Sequence, residues 1–181
     1  MNKSIFYFLF LLFFVSCRNS DQGEELKTIQ ANVSYVDSVI YRNDMAPDFY
    51  WTGVNGELVN FKKIHKKITI INFWATWCSP CRKEIPDLIS INSEYASKGV
   101  RVIGISTDKG GKVIADVSDF VKAHKIDYPI IIDNGKLSDA FGNIRGLPTT
   151  FFIDEEGKIA KKFMGIKTKD FFVAQIEDLM K

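Results

Sequence analysis

The sequence has few of the residues that bind metals or cross-link small secreted folds. It contains three cysteines and two histidines, and His65 and His124 are isolated from each other and from the cysteines. A disulfide-stabilised scaffold carries more cysteines at wider spacing, and structural zinc is almost always four-coordinate. The three cysteines therefore indicate one functional pair and one cysteine with a separate task, and we predict no metal site.

A strong charge of one sign is also absent. The 24 basic and 22 acidic side chains leave a formal net charge of +2, which gives no support to nucleic acid as a partner. Apolar residues make up 46% and charged residues 25% of the 181 residues. These fractions are typical of one compact domain with some additional sequence.

No apolar run reaches the length of about 20 residues that a membrane-spanning helix needs. The run from Ile5 to Val15 follows Lys3 and has the length of a signal-peptide core. It leads into Phe14-Val15-Ser16-Cys17, which resembles a bacterial lipobox. An uncleaved N-terminal anchor is the alternative interpretation.

The lipobox resemblance implies a signal peptide over residues 1–16, cleavage before Cys17, and a lipid on the Cys17 sulfur. Residues 17–45 would then form the lipidated cysteine and a mostly polar tether. A lipid holds such a protein at a membrane while the polypeptide folds outside the cytoplasm. We therefore expect a periplasmic or cell-envelope location with partners that include the membrane.

Strand and helix patterns alternate over residues 46–181, which we take as the folded domain. Asn55-Gly56 is a hairpin signal, and the segment 34–41 fits a strand or a helix. Buried strands are predicted at 68–74, 100–106 and 128–132, a terminal hairpin at 149–164, and helices at 79–98, 113–124, 138–141 and 168–180. This order predicts an α/β fold in which helices flank a mixed sheet, with an N-terminal β-hairpin extension.

Cys78 and Cys81 stand two residues apart at the start of a predicted helix. Unpaired N–H groups and the positive end of the helix dipole stabilise a thiolate at that place, so Cys78 is expected to be the exposed nucleophile. Cys81 lies one turn further in and would resolve a mixed disulfide on Cys78. Half of a zinc knuckle is the structural alternative, but no second ligand pair accompanies it.

The segment from Asn72 to Glu84, NFWATWCSPCRKE, resembles the active site of the thioredoxin superfamily, and more narrowly its membrane-anchored TlpA/ResA-like branch. The similarity continues in 146–154, GLPTTFFID, which resembles the family's cis-proline strand, and it covers approximately residues 46–181. The resemblance implies a thioredoxin-like fold and a thiol–disulfide oxidoreductase with a redox disulfide between Cys78 and Cys81.

The same resemblance implies further site residues. Pro148 would lie beside the pair in a cis peptide bond, with the backbone of Leu147 pairing with the substrate chain, and Trp77 would shield the pair or simply pack. Glu84 would manage the protons of the cysteines, or else be a solvated first-turn carboxylate. Asn72 stands where many thioredoxins have a buried aspartate and cannot act as a carboxylate does, which favours Glu84 for acid–base work.

The resemblance also implies a function. The leading hypothesis is a tethered reductase of disulfide-containing proteins outside the cytoplasm, of the kind that serves cytochrome c maturation, with electrons from a membrane thiol donor and no bound cofactor. A peroxide reductase is one alternative, although peroxiredoxins place threonine where this chain has Ala75. A non-catalytic binding module or copper chaperone is another, although the cysteine spacing is narrow and a nearby histidine is not evident.

Overall fold

The structure of the protein is a computed structural model that describes residues 33–40, 42, 45–53 and 56–181. The strands of this part are β1 Val33–Ile40, β2 Asp48–Thr52, β3 Leu58–Asn60, β4 Ile68–Trp74, β5 Val100–Ser106, β6 Ile130–Ile132, β7 Thr149–Asp154 and β8 Ile159–Met164. The helices are α1 Phe61–Ile64, α2 Ser79–Tyr95, α3 Val113–Ala123, α4 Lys136–Ala140 and α5 Lys169–Leu179. The predicted signal peptide and Cys17 lie outside the described residues.

All the strands of the described part join one mixed sheet in the order β3-β2-β1-β6-β5-β4-β7-β8. The central strand β4 is buried along its whole length, as its β-branched and aromatic residues predict. Its side chains alternate between the two faces, so that Ile70 and Trp74 enter one core cluster while Ile71 and Phe73 enter the other. The predicted mixed sheet is confirmed.

Helices cover both faces of the sheet. The buried sides of α2, α3 and α5 share one core cluster, and α1 and α4 contribute to the other. The long helix α2 contains Pro86, which lacks the N–H that would bond the carbonyl of Arg82. A short 3-10 turn follows α2 and ends at Gly99, which has a left-handed φ of 84° and acts as the predicted stop. No helix of the described part is long and apolar enough to cross a bilayer.

The N-terminal extension is larger than its sequence indicated. β2 and β3 form the predicted antiparallel hairpin, and β1 joins that hairpin to the main sheet by pairing in parallel with β6. The boundary predicted at residue 46 is therefore too late, and the predicted tether contains a strand. The reason is visible in β1, where Ser34 and Val36 are buried while Tyr35 and Asp37 are exposed. Polar residues on both sides of these four alternating positions make the strand pattern hard to detect in the sequence.

The topology brings several loops to one edge of the sheet. β4, β5 and β6 are parallel, so the segments that follow their carboxyl ends lie side by side. β7 runs antiparallel to β4 and pairs Thr149 with Phe73. Pro148 therefore enters the same edge that Cys78 reaches from β4, although the two residues are far apart in sequence.

Gly104 in β5 provides the space that Trp74 needs. A Cβ at this position would lie 2.5 Å from Ile130 Cδ1 and 2.9 Å from Trp74 Nε1. We expect Gly104→Ala to lower the free energy of unfolding by about 1–3 kcal/mol through overpacking, as measured by urea denaturation of the oxidised protein. Gly111→Ala is the control, because a Cβ there meets no atom within 4 Å. Equal losses in the two variants would contradict this description of the core.

Candidate active site

The cysteine pair occupies the start of α2, as its position before a helical pattern predicts. Cys78 is the N-cap residue, and its Sγ accepts a hydrogen bond from the backbone N–H of Cys81 at 3.2 Å. The two sulfurs form a disulfide, with the Cα atoms 5.2 Å apart. Pro80 lies in the first turn, where a missing N–H costs nothing. Any negative charge that develops on Cys78 is thus met by helix N–H groups.

Access to the pair is through Cys78, although this residue is less exposed than predicted. Cys78 is 4% exposed and Cys81 1% exposed, so the prediction of an exposed Cys78 is wrong for the disulfide form. The reason is that its sulfur is bonded to Cys81 and turned toward the helix N–H. Cys78 still lines a surface groove of about 580 Å³, whereas Cys81 is not among the lining residues.

The groove is built from the loops that meet at this edge of the sheet. Trp77, which is 69% exposed, lines it beside Cys78, so a role in core packing is excluded for this side chain. Gly146 and Leu147 line it from the loop before β7. The peptide bond between Leu147 and Pro148 is cis, as the resemblance implied, and Pro148 itself is buried.

Charged residues of both signs complete the groove. Lys109 and Arg145 contribute cations, and Asp133 and Asp139 contribute carboxylates. The carboxylate of Asp133 accepts backbone N–H bonds from Gly135, Leu137 and Ser138, so it serves as the cap of α4. The volume of the groove, about 580 Å³, lies in the range of small-ligand sites.

Glu84 lies three residues after Cys81 on α2, with its side chain in the protein interior. It is 1% exposed, so the alternative of a solvated surface carboxylate is wrong. Its Oε2 accepts a hydrogen bond from Asn72 Nδ2 at 2.9 Å, and its Oε1 accepts one from the backbone N–H of Lys167 at 2.8 Å. The same amide nitrogen of Asn72 donates to Thr150 Oγ1 at 2.9 Å. The carboxylate therefore connects β4, α2 and the loop before α5.

Burial raises the pKa of Glu84 to about 7, because removal from water disfavours the charged form. The hydrogen bonds from Lys167 and Asn72 act in the opposite direction but are the smaller effect. Near neutral pH both protonation states of Glu84 are populated. A group of this kind accepts and returns a proton at little cost in free energy.

Two residues of this hydrogen-bond network, Lys167 bonded to Glu84 and Thr150 bonded to Asn72, were not found by reasoning from the sequence. Lys167 acts through its backbone N–H, which every residue except proline has. The type of side chain at this position therefore does not predict the contact with Glu84. Thr150 lies within the cis-proline motif, and its role follows from the register that places it opposite Asn72. In the part of the chain that the structure describes, no group of three or more His, Cys, Asp or Glu residues is arranged to hold a metal ion.

The fold and the cysteine pair define the class of protein, and comparison with known families agrees with them. The model of the AhpC/TSA family matches residues 43–162, and the chain belongs to that family. It is a thiol–disulfide oxidoreductase with a thioredoxin-like fold, and its substrates contain disulfides.

The relatives narrow the class further. The chain is 37% identical over 125 residues to the thiol-disulfide oxidoreductase ResA of Bacillus cereus, covering 69% of this chain and 70% of that protein. A thiol:disulfide interchange protein of Chlorobium tepidum has a similar structure, with a TM-score of 0.68 and 31% identity over 80% of this chain and 99% of that one. The exposed lipoprotein thioredoxin of Streptococcus pneumoniae has a TM-score of 0.61 and 32% identity over 72% and 98%. The resemblance to ResA-like proteins is thus confirmed.

The raised pKa of Glu84 predicts a specific dependence of stability on pH. A carboxyl whose folded pKa lies above its ordinary value of 4.5 destabilises the folded state as pH rises from about 4.5 to about 7. Glu84→Gln removes this loss, which is at most about 3 kcal/mol for a shift of this size. In urea denaturation of the oxidised proteins, we expect the variant to gain stability relative to the wild type between pH 4.5 and pH 8. A difference that does not change with pH would contradict the raised pKa.

Proposed function

We propose that the protein reduces disulfides in other polypeptides outside the cytoplasm, from a lipid anchor at Cys17. The observation that carries this proposal is the groove, which presents Cys78 next to Leu147 and the cis bond to Pro148. An extended chain that lies in this groove brings its disulfide to Cys78 and its backbone to the peptide group of Leu147. The groove is open to solvent, which favours a polypeptide over a ligand that must be enclosed.

The reaction begins with the reduced pair. The Cys78 thiolate attacks one substrate sulfur and forms a mixed disulfide, and the other substrate sulfur leaves as a thiolate that takes up a proton. Cys81 then loses its proton and attacks Cys78 Sγ, which releases the second substrate thiolate and leaves the Cys78–Cys81 disulfide. The substrate gains two electrons and two protons, and a dithiol donor in the membrane returns the enzyme to its reduced form.

Glu84 is the acceptor we propose for the proton of Cys81. It lies three positions after Cys81 on α2, and residues at this spacing share a helix face. Cys81 is almost fully buried, and burial disfavours its thiolate, so a nearby base is needed at the moment of attack. A carboxyl with a pKa of about 7 accepts that proton and later returns it.

The charge of Glu84 also bears on the direction of electron flow. A buried carboxylate three residues after Cys81 on the same helix disfavours the thiolate form of the cysteines, and therefore disfavours the reduced enzyme relative to the disulfide. A pair of this kind gives up its electrons readily. This argument supports a reductase rather than an oxidase of protein thiols.

Peroxide reduction receives less support from the site. The position three residues before Cys78 is Ala75, which is fully buried and carries no hydroxyl group. The hydroxyl of the neighbouring Thr76 donates to Asp108 Oδ1 at 2.7 Å, so it is already engaged within the protein. A peroxide-consumption assay alongside disulfide reduction separates the two activities.

The proposed location rests on the N-terminal sequence and on one relative. Cys17 ends a lipobox-like segment, and a structural neighbour is named an exposed lipoprotein thioredoxin. Several relatives carry the name ResA, and the resemblance of the sequence to that branch implies a role of the kind that serves cytochrome c maturation. We therefore propose the oxidised Cys-X-X-Cys-His segment of an apocytochrome as a substrate class.

The order of attack predicts which variant traps the substrate. Cys81→Ala leaves the Cys78 nucleophile but removes the resolving thiol, so it should accumulate a mixed disulfide with an oxidised Cys-X-X-Cys-His peptide. Cys78→Ala is the matched control and should accumulate none. The adduct is measured by mass spectrometry without reductant. Trapping by Cys78→Ala instead would reverse the two roles.

The lipid anchor predicts a change in fractionation. In a bacterial host that processes lipoproteins, the full chain should be found with the membranes and carry the mass of a lipid on Cys17. Cys17→Ser should be released from the membranes or remain unprocessed. A wild-type protein with the unmodified mass at Cys17 would remove the anchor from the proposal and leave the chemistry of the pair untouched.

A further inference from the structure

A second buried carboxylate lies near the active site and takes no part in the chemistry described above. Asp108 lies two residues after the end of β5 and is 8% exposed. Its Oδ2 accepts the backbone N–H of Thr76 at 2.9 Å and the hydroxyl of Ser106 at 2.9 Å, and its Oδ1 accepts the hydroxyl of Thr76 at 2.7 Å. Thr76 thus donates two hydrogen bonds to one carboxylate.

A neighbouring contact holds the same two loops together. Thr107 donates its backbone N–H to the carbonyl of Trp74 at 2.9 Å and its hydroxyl to the same carbonyl at 3.2 Å. Thr107 and Asp108 therefore bind the end of β4 and the first residues after it, and the hydroxyl of Ser106 supports Asp108. We call Thr76, Ser106, Thr107 and Asp108 the loop clamp.

The loop clamp ends two residues before the nucleophile. The backbone N–H of Cys78 bonds the carbonyl of Ala75 at 3.1 Å, so the turn from Ala75 to Cys78 contains Thr76 of the clamp and closes at the N-cap of α2. A change in the position of Thr76 would therefore be transmitted through this short turn to Cys78 Sγ, which accepts the N–H of Cys81. A small displacement of that sulfur changes how strongly the helix N–H groups stabilise a thiolate.

We propose that Asp108 is a positioning residue for Cys78. Through its two bonds to Thr76 it keeps the sulfur at the helix N-terminus, and it thereby maintains the reactivity of the Cys78 thiolate. This inference builds on the proposed function, because it concerns the first step of the disulfide exchange. The alternative is that Asp108 only stabilises the fold, and the experiment must distinguish this role from positioning of Cys78.

The chain provides a control for a loss of stability that arises away from the active site. Asp48 is also 8% exposed, and it accepts a side-chain bond from Asn60 at 2.9 Å and a backbone bond from Lys62 at 3.1 Å. These contacts lie within the N-terminal extension. Asp48→Asn removes a buried carboxylate of similar exposure and bonding, so it should reduce stability without changing the reactivity of Cys78.

The main variant is Thr76→Val, which removes the hydroxyl bond to Asp108 and leaves the charge of Asp108 in place. The rate at which a small alkylating reagent modifies Cys78 is measured against pH on the reduced full chain, with the modified peptide identified by mass. We expect the midpoint of the profile to move to higher pH, and kcat/KM for disulfide reduction to fall about tenfold through misplacement of the sulfur. Thr76→Ser keeps the hydroxyl and should restore wild-type behaviour.

Ser106→Ala is a milder test of the same contact, because it removes one supporting hydroxyl from Asp108. It should shift the alkylation profile in the same direction by a smaller amount, and it decides the question if Thr76→Val does not fold. A profile identical to that of the wild type in the folded variants, with only a lower free energy of unfolding, would overturn the proposal. Alkylation needs no substrate, so it tests the loop clamp even if the protein proves not to reduce disulfides.

Discussion

The interaction on which the rest of the site depends is the burial of the Glu84 carboxylate. Asn72 ties it to the central strand and Lys167 ties it to the loop before α5, so its position is set by three elements of the fold. The two hydrogen bonds are not sufficient to offset the loss of water, and the pKa of the group therefore rises to about 7. The same contacts fix the proposed proton acceptor about one helical turn from Cys81 on α2.

The topology of the sheet explains why the site assembles where it does. Parallel strands β4 and β5 deliver the turn before Cys78 and the loop that contains Asp108 to the same edge. The antiparallel strand β7 returns to this edge with Pro148 at its start. Helix α2 then presents its N-terminus to both cysteines. The two buried carboxylates have different proposed roles: we propose that Glu84 exchanges a proton with Cys81 and that Asp108 holds the turn before Cys78.

Much of this arrangement was predictable from local signals. The dense apolar run of β4, the stop at Gly99 and the helix start at Cys78 each have a local physical cause, and all three elements are present. β1 was harder to assign, since polar residues interrupt its alternation and its pairing with β6 is not local. The burial of Glu84 depends on contacts with Asn72 and Lys167, and Asp108 meets Thr76 across two loops. Contacts between residues distant in sequence leave no pattern in a single chain.

The central claim is that a buried carboxylate makes the Cys78–Cys81 pair reducing. The most direct test is the reduction potential of the pair at pH 7, obtained by equilibrating the full chain with reference dithiol buffers. A disfavoured thiolate predicts a potential in the range of thioredoxin, about −270 mV, and a less negative potential for Glu84→Gln. A wild-type value near that of a strong oxidant, about −120 mV, would contradict the account.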